Sequence, residues 1–534
     1  MRRWWLLSLV AFFLMGTAWA LALPVNGTYD EKDHIVFAYA VAHGRLSTDR
    51  TMTDRRDDTK PAFVVPATLL PDFLNVDCTW APRPYKTADC QQWRAEHTPV
   101  PMPTGAARYS PVYYLPVGIP LALWPDRTGI LLARLVSALL SALLLASAVV
   151  AALRLGSRLL VVAVALTATP MAVNLYGSVN PNGLEIAAGV LVFCTLLALV
   201  RAEHDDATTR RLLVLAGLGS VLLLTVRQLG PALLAFAVAT CLLLARRDRL
   251  AALWRRRSAR WILGGCWLAG TAFAVGWVWY SGLDDVTPVT RDARHLSGGQ
   301  LLSQLVIGQD DRGGRLPFYL KQVVGQFGYG ETTISLYALA AWYLLGAALV
   351  LPGVLMAGWR ARWALLGLAV ASLGLLVALE VYFLPRVGWF AHGRYAMPAA
   401  VGIVLGAAVA KREEGGGFED GGRFEEWLRA RGWLTRYALV LTAATAPLHL
   451  YALARVMTRY QVGIAAPLNP FGGVWRPPVG SLVPLLVDLA GVLLLVVVAA
   501  ARWPAAGASE AANTGTRQAT RWPTSVGRSS HPHR

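Results

Sequence analysis

The chain has 534 residues, of which 55% are hydrophobic and only 15% charged, and its mean hydropathy is +0.45. So little charge cannot cover that much apolar surface in water, and the apolar residues fall in blocks of about 20, the length that crosses a bilayer's hydrocarbon core. These figures exclude the soluble, disordered and disulfide-scaffold classes; the net charge of +18 lies in Arg-rich turns between apolar blocks, where it orients a membrane protein rather than binding nucleic acid.

In chain order the pattern predicts an all-α integral membrane protein of about 12 transmembrane helices, over 4–23, 129–151, 157–175, 183–200, 211–225, 230–245, 261–280, 335–357, 363–384, 396–410, 437–455 and 481–501. The blocks 211–225 and 396–410 barely reach across and are expected to be tilted, broken or re-entrant. One set of connectors is short and basic: Arg154/Arg158, Arg201/Arg210/Arg211, Arg246 to Arg260, Arg360/Arg362, and Lys411 to Arg436. The positive-inside rule places these in the cytoplasm, and with them Arg2-Arg3 and the C-terminal tail, so both termini are cytoplasmic. Ala18-Trp19-Ala20 resembles a signal-peptide cleavage site, but the apolar run continues to Leu23 and is long enough to stay as an anchor.

The chain therefore divides into a polytopic membrane domain, 1–502, and a basic tail, 503–534, whose composition predicts disorder. Most polar sequence is external: a first loop over 24–128, a second large loop over 281–334, and shorter ones at 385–395 and 456–480. The chain carries neither a phosphate-cradling Gly-rich loop nor a zinc-spaced Cys/His set. Any chemistry is expected on the external face of the cell's inner (plasma) membrane. Cys78 and Cys90 lie in the first loop, in an oxidising compartment, and are predicted to form a disulfide. Cys194, Cys241 and Cys266 fall in apolar spans and read as packing residues.

Four external stretches could carry chemistry. After the first span comes Asp30-Glu31-Lys32-Asp33-His34, read as an N-cap at Asp30 opening a short helix at the membrane surface. Its i, i+3, i+4, i+7 spacing puts Asp30, Asp33, His34 and Phe37 on one face. A carboxylate there suits a general base, although a plain capping role fits the same residues. Tyr109-Ser110-Pro111-Val112-Tyr113-Tyr114 is either an interfacial aromatic belt or a platform for a sugar ring. Asn180-Pro181-Asn182-Gly183-Leu184-Glu185 opens the fourth span, with Asn182 and Glu185 spaced as a capping box. Gly393-Arg394-Tyr395 enters the tenth span, and Arg394, like Arg227 in its tight turn, either snorkels to the head groups or grips a phosphate.

Taken together, these stretches resemble the bacterial polytopic family of the domain of unknown function 2142 (DUF2142). Its acidic-acidic-x-x-His motif is matched by Asp30 to His34, its Tyr-x-Pro-x-x-Tyr element by Tyr109 to Tyr114, its Gly-Ser-x-Asn-Pro turn by Gly177 to Pro181, and its Gly-Arg-Tyr-x-x-Pro by Gly393 to Pro398. Lys32-Asp33 departs from the Pro-Ala expected before the histidine. The family in turn resembles the GT-C class of membrane glycosyltransferases, which place a catalytic carboxylate in the first external loop and use polyprenyl-phosphate-linked sugars.

The resemblance implies an inverting transfer from such a donor to a cell-envelope glycan or lipid acceptor, within membrane lipid and with no organic cofactor. Asp30 or Glu31 would be the base, with His34 orienting the carboxylates. Arg394 and Arg227 would hold the lipid phosphate, and Tyr109, Tyr113, Asn180 and Tyr395 would complete the substrate site. A magnesium or manganese ion at Asp30, Glu31 and Asp33 is the variant of this scheme that uses a metal. The alternatives are a transporter or lipid flippase for envelope precursors and a non-catalytic assembly or polysaccharide-binding membrane component. Against the transporter stand the long first loop, the lack of repeated halves and the scarcity of charge at the middle of spans, with Glu380, near a span's end, as the exception.

Overall fold

The structure is a computed structural model that describes residues 1–53, 59–72, 75–81, 84–282, 293–308, 314–411, 422–501 and 503. Met1–Ala500 forms one compact unit. The tail expected to be disordered lies, apart from Trp503, outside the described residues.

Among the described residues twenty α-helices follow one another: α1 Arg2–Ala22, α2 Glu31–Ala42, α3 Pro111–Leu123, α4 Arg127–Arg154, α5 Arg158–Thr167, α6 Pro170–Tyr176, α7 Pro181–Arg201, α8 Asp206–Val226, α9 Gly230–Leu243, α10 Arg247–Arg255, α11 Arg257–Tyr280, α12 Gly298–Val306, α13 Arg315–Val324, α14 Leu336–Leu355, α15 Trp359–Val387, α16 Met397–Val409, α17 Arg423–Ala430, α18 Leu434–Ala443, α19 Thr445–Gln461 and α20 Leu482–Ala500. Among the described residues nine helical stretches are long and apolar enough to cross a membrane, α18 and α19 counting as one, and the number rises to eleven if two bent pairs each count as a span. The count by length and composition is thus nine to eleven rather than about 12.

Local chemistry explains the difference. The block 157–175 breaks because Thr169 Oγ accepts from the Ala172 N–H and Pro170 supplies no donor, so α6 starts afresh, bent 71° from α5. The block 230–245 ends at Leu243, and the Arg-rich α10 turns off by 120°, as its guanidinium groups require water or head groups. Of the two weak blocks, 211–225 belongs to the 21-residue α8, whereas 396–410 gives only the 13-residue α16.

α7 sits at the centre, buried along its whole length, with α4, α8 and α16 around it. Its approach to α16 is at backbone contact: a Cβ on Gly189 would lie 2.1 Å from the Pro398 carbonyl oxygen. Small residues allow this, and close packing rather than burial from water holds membrane helices together. The spans also carry more charge than expected. Arg134 lies inside α4, and Asp488 inside α20 is fully buried.

The first loop folds over the ends of α1 and α4. Strands β1 Thr51–Thr53, β2 Thr59–Pro66 and β3 Pro99–Pro103 make an antiparallel sheet in the order β1-β2-β3, with Phe63 opposite Met102. Helix α2 packs against β2 and α3. A two-stranded ribbon, β4 Gln326–Phe327 with β5 Thr332–Thr333, ends in a turn at Gly328 to Gly330. Cys78 and Cys90 are bonded to each other, and Arg459 of α19 donates to the Thr79 and Lys86 carbonyls within that cross-linked segment.

Replacing Cys78 and Cys90 by serine is expected to lower unfolding stability by about 3 kcal/mol, the chain entropy released when a loop of this size is uncrosslinked. Thermal unfolding in detergent, with and without reductant, checks this; an unchanged midpoint would contradict it.

Candidate functional site

The site is built from the short turn between α1 and α2. Two of its residues, Asn26 and Asp30, adopt the left-handed conformation, with φ of 59° and 57°, which costs an ordinary residue about 1–3 kcal/mol. A buried ion pair accounts for the strain. Arg134 reaches from α4 and spends all five N–H groups: two on the Glu31 carboxylate at 2.6 and 2.7 Å, the rest on the Ala20, Leu23 and Pro24 carbonyls at 2.7–3.0 Å. Glu31 also accepts from the Asn26 and Val179 N–H groups at 3.0 and 3.2 Å. The end of α1, the start of α2 and the loop before α7 therefore meet at one carboxylate.

The expected acidic cluster is consequently split. Glu31 is fully buried, and its oxygens already accept from Arg134 and from two backbone N–H groups, so of the two expected candidate bases it is the one turned into the protein. Asp33 turns to the first loop and accepts from the Gly105 N–H at 2.6 Å, with burial pushing its carboxyl up from the usual range. Lys32 pairs with Asp77. Asp30 occupies the predicted N-cap position but its side chain does not cap the helix. It stays 44% exposed and accepts from Arg394 Nη2 at 3.0 Å. The three carboxylates diverge, and among the described residues no group of three His, Cys, Asp or Glu is placed to hold a metal ion.

Arg394 comes from a 3-10 turn, Gly393–Tyr395, and is itself 2% exposed. Gly393 is required there, because a Cβ would lie 2.2 Å from the Tyr319 carbonyl oxygen. The turn is fastened to α13 by the Gly393 N–H donating to Gln322 at 2.7 Å. Below it, Glu380 accepts from Arg315, Tyr319 and the Phe390 N–H at 2.6–2.9 Å, so the carboxylate noted near the end of a span braces this loop. The Arg394 guanidinium lies 4.1 Å from the Tyr29 ring centroid and 5.3 Å from that of Tyr395. Its Nε and Nη1 are buried without a hydrogen-bond partner among the described residues.

Arg227, at the end of α8, lies 4.6 Å from the other side of this set, over the Tyr395 ring. It donates to Glu185 at 3.2 Å and to the Tyr109 hydroxyl at 3.5 Å. Asn180 rather than Asn182 caps α7, accepting from the Asn182 N–H at 3.0 Å while donating to the Tyr29 carbonyl. The cap thus lies two residues upstream of the expected one, where Pro181 fits the first helical turn. Asn182 instead donates to Glu185 at 3.1 Å.

Two of the expected site residues have other partners. His34 Nδ1 shares a 2.7 Å hydrogen bond with the Tyr114 hydroxyl, and its ring packs on Tyr109 and Tyr114. Tyr113 faces away from the site, fully buried, with its hydroxyl on Ser137 at 3.0 Å. The aromatic surface nearest the two arginines is made by Tyr29, Tyr109, Tyr395 and His392, the last 4.8 Å from Tyr29. Tyr29, Tyr114, Arg134, Glu185 and Gln322 were not singled out beforehand as site residues. An arginine a few positions inside a span was the one available signal for Arg134.

Burial, reinforced by Arg227 and Arg394 and opposed by Asp30, pushes His34 down to about 3. Burial, with Arg394, Arg315 and Arg227, likewise holds His392 well below the usual imidazole value. Both are neutral near pH 7, so the charge facing Asp30 comes from arginine. A folded-state value below the unfolded one, about 6.5, means that His34 favours the fold above that pH and loses the contribution as pH falls toward 3. The unfolding midpoint is therefore expected to drop between pH 6.5 and 4, and His34→Gln to flatten that drop. An identical slope in the variant would contradict the assignment.

Breaking the Glu31–Arg134 pair from one side leaves a buried unpaired charge. Arg134→Ala is expected to destabilise the fold by about 3–5 kcal/mol, and Arg134→Met with Glu31→Leu by much less. Chemical or thermal unfolding in lipid nanodiscs distinguishes these, and a mild Arg134→Ala phenotype would show that the pair does not organise the turn.

Comparison with known proteins gives two findings. Among solved structures, the crystal structure of ArnT from Cupriavidus metallidurans bound to undecaprenyl phosphate is similar with TM-score 0.38 and 16% identity, over 92% of this chain and 75% of that one. No curated protein matches. The family model described as predicted membrane protein (DUF2142) matches residues 13–403. That match covers the α1–α2 turn, Arg134, Arg227 and the Arg394 turn, and the chain belongs to the DUF2142 family of membrane proteins.

Proposed function

We propose that the chain is a membrane glycosyltransferase that moves a sugar from a polyprenyl-phosphate donor to a hydroxyl of a cell-envelope glycan or lipid. In this reading the site faces the outside of the inner membrane, which the distribution of basic loops supports. One observation carries the reading: Arg394 is buried with two of its three nitrogens unpaired among the described residues, beside a partly exposed carboxylate, Asp30. A buried guanidinium left partly unsatisfied is unfavourable by several kcal/mol, and an entering phosphate oxygen would relieve that.

The geometry supports the following roles. Asp30 takes the proton of the acceptor hydroxyl as its oxygen bonds to the anomeric carbon. The bond from that carbon to the donor phosphate oxygen breaks, and polyprenyl phosphate leaves with the electron pair. Arg394 stabilises the charge that develops on the leaving phosphate, and Arg227, held by Glu185, adds to the positive field. Tyr29, Tyr109 and Tyr395 offer ring faces to the sugar. Glu31 acts only through the backbone, by holding Asp30 in its exposed position.

The test is sugar transfer by the purified protein in lipid, with radiolabelled polyprenyl-phosphate sugars and envelope acceptors. Asp30→Asn is expected to lower kcat about 10²–10⁴-fold. Arg394→Ala should lower it about 10²–10³-fold. Transfer that survives Asp30→Asn would remove this carboxylate from the chemistry. Substrate uptake by proteoliposomes without transfer would favour the transporter reading instead.

A further inference from the structure

Arg227 belongs to the site described above and also lines a separate cavity of about 170 Å³. The other walls are Leu224, Thr225, Gln228 and Pro231 from the α8–α9 turn, Ala274, Val275, Trp277 and Val278 from α11, and Ser110. Its walls grade from closed to open. Ser110, Leu224, Thr225 and Arg227 are buried, Ala274, Trp277 and Val278 are half-buried, and Pro231 and Val275 are exposed. Helix α11 is the most outlying of the spans, with only Ala259 and Gly270 of its 24 residues buried. The cavity therefore starts at a site cation and ends at the lipid-facing surface.

Its rim is built rather than incidental. Trp277 Nε1 and Gln228 Nε2 both donate to the Arg108 carbonyl at 3.1 Å, tying α11 and the α8–α9 turn to the segment that carries Tyr109. A tryptophan at the end of a span is at home at the head-group level. The volume is below the roughly 300–1,000 Å³ of pockets that enclose a whole small molecule. It suits a part of an apolar chain rather than a whole enclosed ligand.

We propose that the donor's isoprenoid tail leaves the site sideways through this cavity, between the α8–α9 turn and α11, with the phosphate at Arg227 and Arg394. This rests on the glycosyltransferase reading and adds the direction from which the donor reaches it. A larger cavity, of about 450 Å³, is lined by Leu21, Ile130, Leu131, Arg127 and Arg134. It touches neither Arg227 nor Arg394, so a phosphate held there would lie away from Asp30.

The experiment uses the full chain in nanodiscs and a long polyprenyl phosphate carrying a diazirine on the isoprene unit next to the phosphate, with peptide mapping after irradiation. Saturable labelling within 224–231 or 274–278 is the expected result. In transfer assays, Ala274→Trp should raise KM for a long-chain donor relative to a two-isoprene donor by about tenfold, equivalent to about 1.4 kcal/mol. Labelling of residues around Leu21, Ile130 and Leu131, with transfer still lost in Asp30→Asn, would overturn the path and leave the enzyme reading standing. An absence of saturable labelling anywhere would overturn both.

Discussion

The contact between Glu31 and Arg134 fixes what the rest of the site can be. Arginine inside a membrane helix is tolerated only where its donors are taken, and here three carbonyls from the end of α1 and one carboxylate from the start of α2 take them all. The chain has to turn sharply to present those acceptors around one guanidinium. That requirement puts Asn26 and Asp30 into the left-handed region. A helix begins immediately afterwards, so adjacent carboxylates point in opposite senses, Glu31 into the protein and Asp30 out. Such a pair is weak evidence of net stabilisation, but strong evidence that one geometry is selected.

The two site arginines illustrate the same electrostatic logic with different outcomes. Arg227 has its own buried partner in Glu185 and is held in place before any ligand arrives. Arg394 meets a carboxylate that is nearly half exposed, and two of its nitrogens have no protein acceptor among the described residues. One cation is thus balanced internally and the other incompletely so. Tyr395 lies against both guanidinium groups, and Tyr29 against Arg394, which keeps the cations apart from water without neutralising them. With the two nearby histidines neutral, the cationic groups of the site at physiological pH are its arginines.

Much of this was legible in the residues. Span length and hydropathy located the helices, because a membrane segment must be both long and apolar, and the position of α2 followed from Asp30 and the apolar run after it. The break at Thr169-Pro170 was harder to see, since continuous apolar composition hides a local cap, whereas the turn before Arg246 showed in the basic run that follows it. Arg394, Arg227, Tyr109 and Tyr395 come together as the motifs suggested. What the residues could not reveal is direction. Whether Glu31, Tyr113 and His34 face the site depends on α4, α7 and α3, which are distant in sequence. Partners such as Arg134 and Glu380 become visible only once those helices are packed.

The most direct test of the account is a cryo-electron-microscopy structure of the protein in nanodiscs with a polyprenyl phosphate. The account predicts phosphate density within hydrogen-bonding distance of Arg394 Nε and Nη1 and beside Asp30, with the Glu31–Arg134 pair unchanged. Phosphate bound elsewhere, with Arg394 still closed against Tyr29, would contradict it.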